Sequence, residues 1–75
     1  MDLTKINAEI KQNLIFHIKC SGLTTVELAQ KVGVSPEMIT QYCTTKKLPK
    51  LDTFVLLCSA LDVTPNDILL PKEHF

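Results

Sequence analysis

The segment Thr25–Thr44 predicts two short helices that are separated by only three residues, 33–35. Three residues are too few to fold the chain back into an antiparallel pair of helices, so the two helices should meet at a steep angle. Gly33 can adopt the positive φ that such a corner needs. Ser35 followed by Pro36 is typical of a helix start. One face of the second helix is therefore expected to point away from the protein.

The rest of the chain also predicts helices, because apolar residues recur at three- and four-residue steps. Helices are expected over 3–20, 51–61 and from Pro65 to about Leu70, where Pro71 ends the last one. The inner faces should contain Leu3, Ile6, Ile10, Leu14 and Ile18 in the first helix, and Leu51, Phe54, Leu57, Cys58 and Leu61 in the fourth. The prediction is an all-α, five-helix domain over residues 1–75.

Length and composition limit the functional classes. A chain of 75 residues has room for one domain with a thin core. No run approaches the roughly 18 apolar residues of a membrane span. The charges of Asp2, Lys5 and Glu9 argue against a secretory signal. We therefore expect a cytoplasmic protein that does not enter a membrane.

The cysteines and the other reactive side chains indicate no catalytic or metal chemistry. The chain has an odd number of cysteines, and they lie far apart in the sequence: Cys20, Cys43 and Cys58. This spacing argues against a disulfide framework and against a cysteine metal site. Each cysteine lies among apolar neighbours, so we expect all three to be small residues of the core. No nucleophile–base pair and no glycine-rich phosphate loop is present. The sequence predicts a non-enzyme without catalytic residues, metal or cofactor.

The charge of the chain is neutral overall but unevenly distributed. Eight lysines balance eight acids, and there is no arginine. Neutrality weakens a nucleic-acid hypothesis, since phosphate contacts usually supply much of the affinity. Residues 38–51, however, contain Lys46, Lys47 and Lys50 and no acid. A neutral total can therefore hide a basic face beside the predicted motif.

A longer set of residues in a fixed order surrounds this motif. It comprises Leu23-Thr24, the run Glu27-Leu28-Ala29-Gln30-Lys31-Val32-Gly33-Val34-Ser35, Ile39, Pro49, Leu57, Ala60-Leu61, Val63 and Ile68-Leu69. This set resembles the helix-turn-helix domain of Cro/C1-type (XRE-like) phage repressors, over roughly residues 14–70. The resemblance implies a lambda-repressor-like fold whose helix 36–44 enters the major groove of double-stranded DNA.

The resemblance also implies which residues touch DNA. Thr25 corresponds to a phosphate contact at the start of the second helix. Gln41 matches a base-reading position, and glutamine can pair bidentately with adenine. The further base-reading or outward positions of the recognition helix are Ser35, Pro36, Glu37, Met38 and Thr40. The positions expected to follow the DNA backbone are Thr44, Lys46, Lys47 and Lys50.

Several positions depart from the family pattern. Pro36 offers no side-chain hydrogen bond to a base, and Glu37 is repelled by phosphate unless it meets cytosine N4. The alternative is that Glu37 interacts only with the helix dipole and makes no base contact. In the same way, Gln41 and Thr40 can be solvated helix residues without a role in DNA binding. Where many members pair an arginine with a glutamate, this chain has Ile18 and Cys43. We expect few base contacts, supplemented by DNA shape.

The sequence predicts a homodimeric, repressor-like transcriptional regulator on a palindromic operator. Extra apolar residues towards the C-terminus suggest a two-fold interface, although plain core packing also explains them. The predicted interface residues are Leu56, Ile68, Leu70 and Phe75. Two alternatives remain, both with a protein partner: an interaction module that kept the fold but lost DNA binding, and the antitoxin of a toxin–antitoxin pair.

Overall fold

A computed structural model describes residues 2–69. Within that range the chain forms five helices and no strand. They are α1 (Leu3–Cys20), α2 (Thr25–Val32), α3 (Pro36–Thr44), α4 (Leu51–Leu61) and α5 (Pro65–Leu69). The all-α, five-helix prediction is confirmed, and Leu70, the expected last residue of the fifth helix, lies outside the described residues.

The ends of α2 and α3 are fixed by local side-chain chemistry. Thr24 caps α2 through a reciprocal box with Glu27, and Ser35 caps α3 with Pro36 at its first position. Gly33 ends α2 in the left-handed conformation at φ 87°. An L side chain would be strained at that φ, so the corner requires glycine. These devices direct α3 away from α2 after a three-residue turn.

The core lies where α2 contacts both α3 and α4, and where α1 contacts α3 and α5. Five large side chains are completely buried there: Leu14, Leu28, Ile39, Leu57 and Ile68. Burying one such side chain stabilises a fold by about 1.5–3 kcal/mol. Because Leu28 and Ile39 belong to the two helices of the motif, the core fixes α3 rigidly to the body of the protein.

Three expectations about the core are wrong. Leu3 is 70% exposed and Leu51 is 82% exposed, although both continue an apolar stripe. Each belongs to the first turn of its helix, and the buried residues begin later, at Leu14 in α1 and at Phe54 in α4. Cys20, expected in the core, is exposed at the last position of α1. Periodicity identifies a face of a helix but not how much of it other helices cover.

Candidate nucleic-acid interface

The two sides of α3 differ sharply in burial. Ile39 and Tyr42 are only 1% and 3% exposed and belong to the core. The opposite side consists of Glu37, Thr40, Gln41 and Thr44, which are exposed, together with Pro36 and Met38, which are half-buried. This placement matches the predicted outward face. The surface is polar and bears one carboxylate, that of Glu37.

Gln41 is the side chain on this face best suited to reading a base. Its amide is exposed and has no hydrogen-bond partner among residues 2–69. An amide offers a donor and an acceptor side by side, which matches the N6 and N7 edge of adenine. Gln41 can therefore make a bidentate contact without first breaking a hydrogen bond within the protein.

The threonine hydroxyls of this face are already engaged. Thr40 Oγ1 donates to the Pro36 carbonyl at 3.2 Å, and Thr44 Oγ1 donates to the Thr40 carbonyl at 2.8 Å. Thr45 Oγ1 donates in the same way to the Gln41 carbonyl at 2.7 Å. Each oxygen can still accept a hydrogen bond, but its hydrogen is used within the helix. Thr44 is consequently a weaker donor to phosphate than the sequence alone suggests.

Ser35 differs from these threonines. Its hydroxyl oxygen accepts a hydrogen bond of 3.2 Å from the Met38 backbone N–H, which caps α3. The hydroxyl hydrogen stays available for an outside acceptor. Glu37 follows in the first turn, where a negative charge interacts favourably with the helix dipole. At the start of α3, Ser35 can therefore donate to DNA while the Glu37 carboxylate can only accept.

The N-terminus of α2 is partly occupied by the chain itself. The Glu27 N–H donates to Thr24 Oγ1 at 3.1 Å, and the Thr24 N–H donates to Glu27 Oε1 at 2.9 Å. The hydrogen bond from the Thr24 backbone N–H, and then the one involving its hydroxyl, lower the pKa of the exposed Glu27 carboxyl. Thr25 is exposed beside this carboxylate, whose charge opposes the approach of a phosphate.

The segment after α3 carries the lysines. Lys46, Lys47 and Lys50 are all exposed between α3 and α4. The Lys47 N–H donates to Thr45 Oγ1 at 3.1 Å, and the Thr45 N–H donates to the Gln41 carbonyl at 3.0 Å. The loop therefore continues from the last turn of α3 through a short chain of hydrogen bonds, which places its lysines beside the exposed face.

Lys11 of α1 also belongs to this region, and sequence analysis missed it. Its ammonium group donates to the Tyr42 carbonyl at 2.5 Å and to the Lys47 carbonyl. The same nitrogen lies 5.9 Å from the centre of the Tyr42 ring. Burial lowers the pKa of the Lys11 ammonium, and the negative charge of ionised Cys43 opposes that shift. The only sequence signal is a lysine adjacent to the inner position Ile10, which alone suggests a solvated side chain.

A cleft of 450 Å³ opens between the N-terminal half of α1 and the start of the loop. Two of its lining residues are lysines and none is acidic. They are Thr4, Asn7, Ala8, Lys11, Gln12, Thr45 and Lys46. The cleft therefore extends the basic character of the loop onto α1.

The predicted dimer residues have different environments. Leu56 is 49% exposed and is available to a partner chain. Ile68 is completely buried, so its place on the predicted interface is wrong: α5 packs on α1 and directs this side chain into the core. Leu70 and Phe75 lie outside the described residues. Leu69, which was not predicted, is 38% exposed on α5.

Two further features of the described residues concern clusters of metal-ligand side chains and helices long enough to span a membrane. Across residues 2–69, no group of three or more histidine, cysteine, aspartate or glutamate side chains is placed to hold a metal ion. None of the helices in that range combines the length and apolar character needed to cross a bilayer.

Comparison with known proteins identifies the family of this fold. Residues 21–68 match the family model described as helix-turn-helix. The chain belongs to the Cro/C1-type helix-turn-helix family. The match includes both helices of the motif, the lysine loop and α4, and this family consists of DNA-binding regulators. No curated protein and no solved structure matches the chain significantly.

Proposed function

We propose that this helix-turn-helix protein is a sequence-specific transcriptional regulator that represses by binding a palindromic operator as a homodimer. One observation carries the proposal. An unengaged glutamine amide, that of Gln41, is exposed on α3, and the loop that follows presents three exposed lysines. A base-reading group beside a cluster of cations is the combination that sequence-specific binding requires.

Base recognition is assigned to α3 in the major groove. Gln41 pairs with adenine, Glu37 accepts from the amino group of cytosine, and the Thr40 methyl contacts the methyl of thymine. Pro36 and Met38 contribute apolar contact at the leading end of the helix. Because few of these groups are donors, part of the preference comes from the shape and stiffness of the operator.

Backbone contact is assigned to the loop and to the helix starts. The lysines of the loop, Lys46, Lys47 and Lys50, neutralise phosphates and release counterions. Ser35 donates a hydrogen bond to phosphate from the start of α3. Thr25 does so from the start of α2, where the Glu27 carboxylate makes the contact weaker. Thr44 lies beside these phosphate contacts. Three lysines per protomer give a weak monomer, and a dimer doubles that number on one duplex.

The dimer is assigned to exposed apolar side chains of the C-terminal helices. Leu56 on α4 and Leu69 on α5 are 49% and 38% exposed. The proposal requires a two-fold axis beside these residues that directs the two copies of α3 towards successive major grooves, about 10 base pairs apart. The operator should accordingly be a palindrome with half-sites at that spacing.

Selection of bound duplexes from random DNA, combined with light scattering for molecular mass, tests the proposal. We expect an enriched palindrome and a complex of two chains per duplex. The Gln41→Ala variant serves as the matched control, because it should bind with lower sequence preference while the fold is kept. Enrichment of no sequence at low salt would overturn the proposal.

A second candidate is a protein-interaction module or an antitoxin with little DNA affinity. The zero net charge favours it, and so do the exposed apolar side chains of Leu51 and Val55 on α4. Co-expression with neighbouring genes followed by purification distinguishes the two. A stoichiometric protein partner, together with no gel shift on mixed genomic fragments at low salt, would select this second function.

A further inference from the structure

We infer that Lys11, on α1, is a positioning residue for DNA binding: it ties the loop lysines to the end of the recognition helix without touching DNA itself. The inference rests on the proposed function and adds to it a residue outside the motif. Its geometric basis is the pair of hydrogen bonds from one ammonium group to the Tyr42 and Lys47 carbonyls.

The two carbonyls belong to different parts of the interface. Tyr42 lies in the last turn of α3, where carbonyl groups have no partner within the helix. Lys47 lies in the middle of the loop, between two other exposed lysines. A single cation that bridges them fixes the distance between the base-reading helix and the phosphate-binding segment.

This bridge gives the loop a hydrogen-bonded connection to α1. Among residues 2–69, the remaining hydrogen bonds of the loop run to α3, to α4 or within the loop, as Thr45 to Gln41, Lys47 to Thr45 and Phe54 to Lys50 show. Without the Lys11 ammonium group, the middle of the loop would lose this hydrogen bond to α1. Its lysines would then sample more orientations, and ordering them on DNA would cost entropy.

The charge of Lys11 has a second effect. The carbonyl end of α3 carries partial negative charge and lies beside the proposed phosphate track. An ammonium group placed on that end compensates it. Partial burial makes the interaction stronger than a fully solvated one, because water screens it less. Its position against the face of Tyr42, at 5.9 Å from the ring centre, further restricts the side chain.

The first test needs no DNA. Lys11→Met keeps the aliphatic stem but removes the cation, and Lys5→Met on the same helix is the matched control for charge, since Lys5 is exposed. In the free protein, Lys11→Met should speed hydrogen exchange at the Thr45 and Lys47 amides about tenfold. Exchange at the Leu28 amide in α2 should stay as in the wild type. Unchanged exchange in the loop, or equal acceleration in α2, overturns the inference.

The second test uses DNA and a double-mutant cycle. Lys11→Met should weaken operator binding about tenfold, Lys5→Met less than about twofold, and Lys11→Arg should keep most of the affinity. In a Lys46→Ala/Lys47→Ala background, Lys11→Met should have little further effect, because the lysines that it positions are gone. Full additivity would show that Lys11 acts independently of these lysines and would overturn the positioning role. An Arg variant as weak as Met would overturn it as well.

The two tests separate the inference from the proposed function. If the wild-type chain binds no duplex, the proposed function fails, yet the exchange experiment still decides whether Lys11 orders the loop. If the wild type binds DNA and the loop exchange is unchanged in Lys11→Met, the positioning role alone fails.

Discussion

Thr24 and Glu27 exchange two hydrogen bonds at the start of α2, of 3.1 Å and 2.9 Å, so that each satisfies a backbone N–H of the other. This pair fixes the first turn of the helix that carries Leu28 and Ala29 into the core. α3 packs on α2 after a turn of three residues, so we expect the orientation of α3 to depend on how well α2 is formed. The geometry of the proposed DNA-binding surface on α3 therefore depends on a helix cap that lies outside that surface.

Thr24→Ala removes the hydroxyl that accepts from the Glu27 N–H. Loss of such a cap costs about 1 kcal/mol. In a domain of this size that corresponds to a fall in Tm of roughly 4–8 °C. Thermal unfolding followed by circular dichroism measures it. Thr25→Ala is the matched control, since its exposed hydroxyl caps nothing, and an equal loss in both variants would contradict the role of the box.

The same box predicts a dependence of stability on pH. Hydrogen bonds from Thr24 lower the pKa of the Glu27 carboxyl in the folded state below its ordinary value. A lowered pKa means that the ionised carboxylate stabilises the fold above the unfolded pKa. That stability is lost as the pH falls through the folded pKa. Urea unfolding between neutral and strongly acidic pH should show a smaller acid loss in Glu27→Gln than in the wild type. An identical pH profile would contradict it.

Two helix ends predict opposite responses to substitution. Asp62 ends α4 with φ 58°, a conformation that glycine adopts more cheaply than aspartate. Asp62→Gly should therefore raise the free energy of unfolding by about 1 kcal/mol, because relief of the left-handed strain exceeds the entropic cost of glycine. Gly33→Ala should lower it by about 1–2 kcal/mol, through backbone strain alone, because a Cβ there meets no atom within 4 Å. Destabilisation by Asp62→Gly would show that its side chain has an interaction of its own.

The helix ends could be predicted from sequence because the groups that fix them are neighbours in the chain. Ser35 with Pro36, and Thr24 with Glu27, signal a helix start within four residues. The burial of Ile68 and the bridge from Lys11 could not be predicted, since both depend on how α1 packs against elements about 30 to 55 residues away. Leu3 shows the converse: its local pattern is apolar, yet its side chain is 70% exposed.

Gln41 is expected to carry base preference without contributing to stability. Gln41→Ala should lower affinity for the preferred operator by about 1–3 kcal/mol while binding to unrelated duplexes changes little. The matched control is Gln30→Ala, another exposed glutamine, on α2. Competition binding with preferred and scrambled duplexes measures the difference. Equal losses on both duplexes would remove Gln41 from base recognition.

The salt dependence of DNA binding tests the central claim most directly, because it counts the phosphates that the loop neutralises. The wild type should lose affinity steeply as salt rises. Each of Lys46→Ala, Lys47→Ala and Lys50→Ala should reduce the slope of log K against log salt by about one unit, and Lys19→Ala on α1 should leave it unchanged. No binding at low salt, or a slope that the three loop variants do not alter, would contradict the account.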